Sequence, residues 1–192
     1  MTTRFQVRVG ALHSIGAMIP EYRPTHLLGI LDPPTPEPAI YEHERHSRTT
    51  LLLRFQDVDV IQSDGPCAEH VEQIITFADE VRSAHARAPA RLLVHCHAGI
   101  SRSTASAYIA LARDFGLDRA DDAFGELLRV VVNPWPNRRI VALADEAFGA
   151  KGRLLAPLDA YREANIGRLE SMMEYHRLLL EAARREGSNP KG

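Results

Sequence analysis

The sequence predicts an α/β domain in which helices flank a central, mostly parallel β-sheet. Short strand-like runs alternate with longer helical patterns, the order expected of strand-helix-strand units. One of those runs, RLLVH, is apolar through its centre, Leu92 to Val94, and suits a strand buried on both faces of a parallel sheet. With 192 residues, 45% of them hydrophobic, the chain can bury one good core and is too short to promise two.

FQVRV (Phe5 to Val9) alternates like a strand, and LHSIGAMIPEY reads as a helix that stops before Pro24. THLLGIL (Thr25 to Leu31) is a second strand, closed by DPPTPEP, whose four prolines cannot continue it. TTLLLRF (Thr49 to Phe55) is a third strand and QDVDVIQSDGP its polar loop. From Glu69, apolar residues recur at Val71, Ile74, Ile75, Ala78 and Val81, one stripe of a helix reaching about Arg87. RLLVH (Arg91 to His95) follows as the buried strand. Ser103 to Phe115 forms a helix that Gly116 caps. Asp118 is the expected N-cap of a helix carrying Ala120, Ala123, Phe124, Leu127 and Leu128. VNPWPN breaks it, and Ile140 to Phe148 supplies one more helix.

From about Pro157 to Glu186 a long helix carries Leu169, Met172, Met173, His176, Leu179, Leu180 and Ala183 at helical spacing. Such a stripe must dock, either on its own domain or, more sharply, as a homodimer contact. The organisation expected is a domain over 1–150, a C-terminal helical extension over 151–186 and a flexible tail over 187–192.

Charge excludes several classes of partner. With 23 basic and 25 acidic side chains and a formal net charge of -2, nothing draws the chain toward nucleic acid or an anionic membrane, so any anion site must be local. No run of about 18 apolar residues could span a bilayer. Arg4 and Arg8 interrupt the N-terminal apolar pattern, which leaves no signal-peptide core and predicts a cytoplasmic protein. Two cysteines are no disulfide framework, and a reducing compartment makes a catalytic thiol the more interesting option.

The chemistry gathers in VHCHAGISRST, Val94 to Thr104. A buried strand ends at His95, a short loop follows, and a helix begins near Arg102. Loop N–H groups and the first helical turn then point into one concavity, with the helix dipole adding positive potential. Cys96 lies at the base of this cradle, where oriented N–H groups and Arg102 favour thiolate over thiol. Arg102 offers a planar fork matched to two oxygens of a tetrahedral dianion, which lysine could not reproduce. Gly99 permits the turn, and Ser103 can donate a hydrogen bond to the Cys96 sulfur. Thiolate, oxyanion nest and arginine together describe phosphoryl transfer through a cysteinyl-phosphate.

HCHAGISRST matches the HCxxGxxR(S/T) signature and so resembles the cysteine-dependent protein tyrosine phosphatases; its AGISRS core is similar to the dual-specificity branch. TTLLLRFQD resembles the strand leading to that family's general acid, and NPWPNRRIVALAD the Pro-Asn helix start of the dual-specificity group. The resemblance implies Cys96 as nucleophile, Arg102 as phosphate clamp and Ser103 as helper in hydrolysis of the intermediate. It implies His95 as a buried residue ordering the loop. His97, Ala98, Gly99, Ile100 and Ser101 would contribute chiefly backbone N–H groups. An acid is needed to protonate the leaving oxygen; RFQD fits the family pattern best at Asp57, with Asp59 and Asp64 as alternatives in the same loop.

Other readings are weaker. Three consecutive residues at a strand end cannot easily turn His95, Cys96 and His97 onto one metal ion, and HERH (His43 to His46) suits a polar surface loop. Arg102 and Ser103 argue against a rhodanese-like sulfur transferase. A phosphopeptide-binding module without turnover keeps the same cradle and stays as the alternative. Cys67 suits a partly buried helix start, or a resolving thiol for oxidised Cys96; Trp135 suits either the cleft or the core. No extra cation sits inside the loop, which favours phosphotyrosine or mixed protein substrates, with a small phosphomonoester as runner-up. His97 beside the thiolate is expected to make activity depend on pH near neutrality. No metal or organic cofactor is required.

Overall fold

The structure, a computed structural model, describes residues 4–167. Two units are distinguished, Met1–Leu158 and Asp159–Gly192; the sheet and the site belong to the first. Along the chain the elements follow in the order β1 (Gln6–Ala11), α1 (Ile15–Tyr22), β2 (His26–Leu31), α2 (Ile40–Glu44), β3 (Thr49–Arg54), α3 (Ala68–His85), β4 (Arg91–Cys96), α4 (Arg102–Phe115), α5 (Ala120–Val130), α6 (Arg138–Ala147) and α7 (Leu155–Ala164).

The four strands form one wholly parallel sheet in the order β1-β4-β2-β3. All six residues of β2 are buried and so are the last five of β4, as expected for strands covered on both faces. β1 lies at an edge and alternates between exposed and buried positions. Eleven consecutive residues of α4, Arg102 to Ala112, are buried, which makes that helix the centre of the core. A second cluster packs Ile15, Ile19 and Tyr22 of α1 against Leu27, Leu93 and Tyr41. Because every strand runs the same way, the loops that follow β2, β3 and β4 all leave from one edge of the sheet, where ligands of open α/β sheets bind.

Three expectations need correction. HERH is on the surface as expected, with His43, Arg45 and His46 exposed, but it is not a plain loop: His43 and Glu44 belong to α2, and Tyr41 in the same helix is fully buried. Five residues are too few for periodicity to reveal. Asp118 is not the N-cap of α5, because a 3-10 turn over Leu117–Arg119 moves the cap to Arg119 and Asp118 pairs instead with Arg153. The segment from Leu12 opens with a 3-10 turn, and α1 proper starts at Ile15. Elsewhere strand and helix ends fall within a residue or two of their expected positions, and Gly116 caps α4. The C-terminal helix starts at Leu155, and its expected stripe from Leu169 lies outside the described residues. No helix among the described residues is long and apolar enough to cross a membrane.

Candidate phosphate site

The loop between β4 and α4 is built from the outside. Leu12 N–H, just past β1, donates to the His97 carbonyl at 3.1 Å; Trp135 N–H donates to that of Ile100 at 2.9 Å and Asn137 N–H to that of Ser101 at 3.3 Å. In a trans peptide the N–H points opposite the carbonyl. With these carbonyls drawn outward, the N–H groups of Ala98, Ser101 and Arg102 face the loop's interior, at the positive end of the α4 dipole. Gly99 has φ +73, and a Cβ there would lie 2.8 Å from the Gly10 carbonyl carbon and oxygen, so both conformation and space require glycine.

Cys96, the last residue of β4, is 1% exposed. Its sulfur accepts from Gly99 N–H at 3.3 Å and lies 3.1 Å from Ser103 Oγ. These contacts hold the sulfur at the floor of the nest.

His95 sits one residue earlier and fully buried, with Nε2 at 2.5 Å from the Tyr41 hydroxyl. Burial lowers its pKa to about 4, and the same burial pushes the Tyr41 hydroxyl well above its ordinary value. Tyrosine therefore donates and neutral imidazole accepts. Gly29, opposite His95 in the sheet register, makes room for the pair: a Cβ there would lie 2.0 Å from Tyr41 Oη and 2.7 Å from His95 Nε2.

Arg102 is 3% exposed. Nη1 donates to Asp32 Oδ1 at 2.6 Å and to the Phe55 carbonyl at 2.5 Å, while Nη2 lies 3.1 Å from His97 Nδ1. A guanidinium has five N–H donors and accepts nothing. Three are committed; one on Nη2 and the one on Nε remain. Nε is buried without a hydrogen-bond partner among the described residues, its nearest carboxylate being Asp57 Oδ2 at 3.7 Å. Two uncommitted N–H donors on adjacent nitrogens suit two oxygens of a tetrahedral oxyanion.

Of the three candidate acids, the structure brings Asp57 to the loop. Its Oδ1 accepts from Ser101 Oγ at 2.7 Å and Asn137 Nδ2 at 2.9 Å. Asp59 instead accepts from Arg138 N–H at the start of α6, and Asp64 accepts from Gln62 Nε2 and, through its carbonyl, from Gln56 N–H. Trp135 is buried, 9% exposed. Cys67 caps α3 as a free thiol 3.3 Å from His70 Nδ1. Among the described residues no group of three His, Cys, Asp or Glu side chains could hold a metal ion.

Sequence reasoning missed Asp32, Tyr41 and Asn137, gave Ser101 a backbone role only, and gave the His97 side chain a coupling to the thiolate rather than a contact with Arg102. Asp32 and Thr35 lie in a stretch legible only as a breaker, and Tyr41 in a helix too short to detect. Asn137 did carry a signal, since Asn before a helical run is a capping residue, and its Oδ1 does accept from Ile140 N–H at 3.0 Å.

No protein-family model and no curated protein matches the chain. Solved structures do. The Yvh1 phosphatase domain from Chaetomium thermophilum is similar over 80% of this chain and 96% of its own, with TM-score 0.56 and 21% identity. Human tyrosine phosphatase-like serine/threonine/tyrosine-interacting protein covers 74% of this chain and 91% of its own, with TM-score 0.56 and 19% identity. Human DUSP28 covers 75% and 88%, with TM-score 0.54 and 18% identity. The fold is that of the cysteine-based phosphatases, in their dual-specificity form.

Proposed function

We propose that the protein hydrolyses phosphate monoesters through a cysteinyl-phosphate, acting on phosphotyrosine and, with a shallow cleft, on phosphoserine and phosphothreonine in proteins. One observation carries the reading: a buried arginine with two uncommitted N–H donors, on Nε and Nη2, at the end of the loop that begins at Cys96. The dianion would sit on those donors and the nest N–H groups, its phosphorus in line with Cys96 Sγ. The thiolate forms the S–P bond as the ester P–O bond breaks, and Asp57, protonated, gives its proton to the departing oxygen. Water then attacks phosphorus with the Asp57 carboxylate taking its proton, and the thiolate leaves with the Ser103 hydroxyl donating to it. Arg102 and the nest balance charge throughout.

Asp32 and Asp57 both flank Arg102, and this supports a singly phosphorylated group over one crowded with further phosphates. The test is turnover of p-nitrophenyl phosphate and a phosphotyrosine peptide in EDTA and reductant, alongside Cys96→Ser and Asp57→Ala. The expected result is complete loss in the first variant and a fall of about 10²- to 10⁴-fold in the second. Absence of turnover by the wild type together with phosphotyrosine binding would make this a phosphate-reading module instead.

A further inference from the structure

We infer that the side chain of His97 is a positioning residue of the phosphate clamp, acting only when neutral and protonated on Nε2. This rests on Arg102 being the phosphate ligand. The imidazole is aimed at Arg102: its Nδ1 lies 3.1 Å from Nη2. Guanidinium cannot accept, so Nδ1 must present its lone pair. The ring proton is then on Nε2, where it donates to Thr35 Oγ1 at 3.1 Å. Arg102, which can only donate, thereby selects the tautomer, and Thr35, in the proline-rich loop after β2, supplies the acceptor for the ring proton. That loop is itself tied down, since Arg54 Nη1 donates to the Thr35 carbonyl at 2.6 Å.

Three acceptors from three segments thus orient one guanidinium: Asp32 after β2, the Phe55 carbonyl after β3 and His97 after β4. Removing His97 as an acceptor frees the Nη2 end, the end that carries one of the two donors left for the oxyanion. The charged and titratable groups facing the ring are Arg102 from α4 and Asp32, whose Oδ2 is 3.7 Å from Nδ1; Cys96 precedes it in the loop, and His95 beneath is neutral down to about pH 4. Protonation of His97 would set two N–H donors against each other and draw Asp32 from Arg102 toward the imidazolium. Oxyanion binding then weakens as pH falls, the reverse of what an added positive charge beside an anion would do by Coulomb attraction alone.

The test uses sulfate, a dianion throughout the range, binding to the full chain carrying Cys96→Ser so that neither ligand nor thiol titrates. Calorimetry between about pH 5 and 8 spans imidazole titration. The parent should lose sulfate affinity by about tenfold on acidification, on the scale of one hydrogen bond to a charged group. His97→Asn, whose amide oxygen can accept from Arg102 and does not titrate, should match the parent at pH 8 and stay nearly flat. His97→Leu should bind weakly at both ends. A parent affinity that rises with acid, or a His97→Leu variant equal to the parent, overturns the assignment while leaving the clamp in place. Sulfate that fails to bind the parent, or binds Arg102→Lys equally well, overturns the phosphate reading itself, and this inference with it.

Discussion

Replacing His95 by Gln should flatten the acid side of the protein's stability curve. In the folded chain burial lowers the His95 pKa from 6.5 to about 4, whereas in the unfolded chain the imidazole titrates at its ordinary value. Between those pH values the unfolded state binds a proton that the folded state refuses, so stability is fully present above pH 6.5 and is lost as pH falls toward 4. The span of about two and a half pH units, at roughly 1.4 kcal/mol each, makes the loss about 3 kcal/mol from this one residue. The group is fully buried, so solvent screening does not reduce the figure. Gln offers an amide oxygen to the Tyr41 hydroxyl and cannot titrate. His26 and His70, also lowered by burial, act in the same direction, and Asp114, raised by burial, acts against it, but all three are common to both proteins and drop out of the difference. Urea midpoints followed through the fluorescence of Trp135, the one tryptophan, would give both curves. Wild type should lose about 3 kcal/mol more than His95→Gln between pH 6.5 and 4. Parallel curves would mean that His95 charges freely in the folded state, and the argument from burial would fail.

Asn137→Ala should lower turnover of alkyl phosphates by about tenfold through loss of the hydrogen bond that positions Asp57, and leave good aryl leaving groups nearly untouched. The same change removes the α6 cap and should cost about 1 kcal/mol in a denaturant titration. Gly99→Ala places a Cβ against the Gly10 backbone in a left-handed conformation, so it should lose about 1–2 kcal/mol of stability from backbone strain and most of its oxyanion affinity, measured as phosphate inhibition. Ser103→Ala should slow breakdown of the intermediate by about tenfold, visible in rapid mixing as a burst of p-nitrophenol before a slower steady state.

What could be read in advance divides along chain distance. Val94 to Thr104 carries its chemistry in contiguous residues, because a strand end, a tight turn and a helix start build the nest from local geometry. The carboxylate nearest the loop was harder to name: Asp57, Asp59 and Asp64 stand within eight residues of one another, and their order says nothing about which faces the loop. Tertiary structure separates them, since Asn137, 80 residues away, holds Asp57 while Asp59 accepts from Arg138 N–H at the start of the helix that Asn137 caps. His97 shows the same limit within the motif itself. Its position beside Cys96 suggested coupling to the thiolate, yet the ring turns to Arg102 and Thr35, the latter brought in by a loop 62 residues distant in sequence.

By itself the sequence determined the alternating α/β order, the strand β4, buried from Leu92 onward, and the cradle that follows it, because periodicity and a short strand-turn-helix are properties of neighbouring residues. Only the tertiary structure decided which carboxylate meets the loop, which three acceptors orient Arg102, and why Gly29 must lack a side chain beside Tyr41 and His95. These depend on three separate loops leaving one edge of a parallel sheet, and on packing distances between residues that no local pattern brings together.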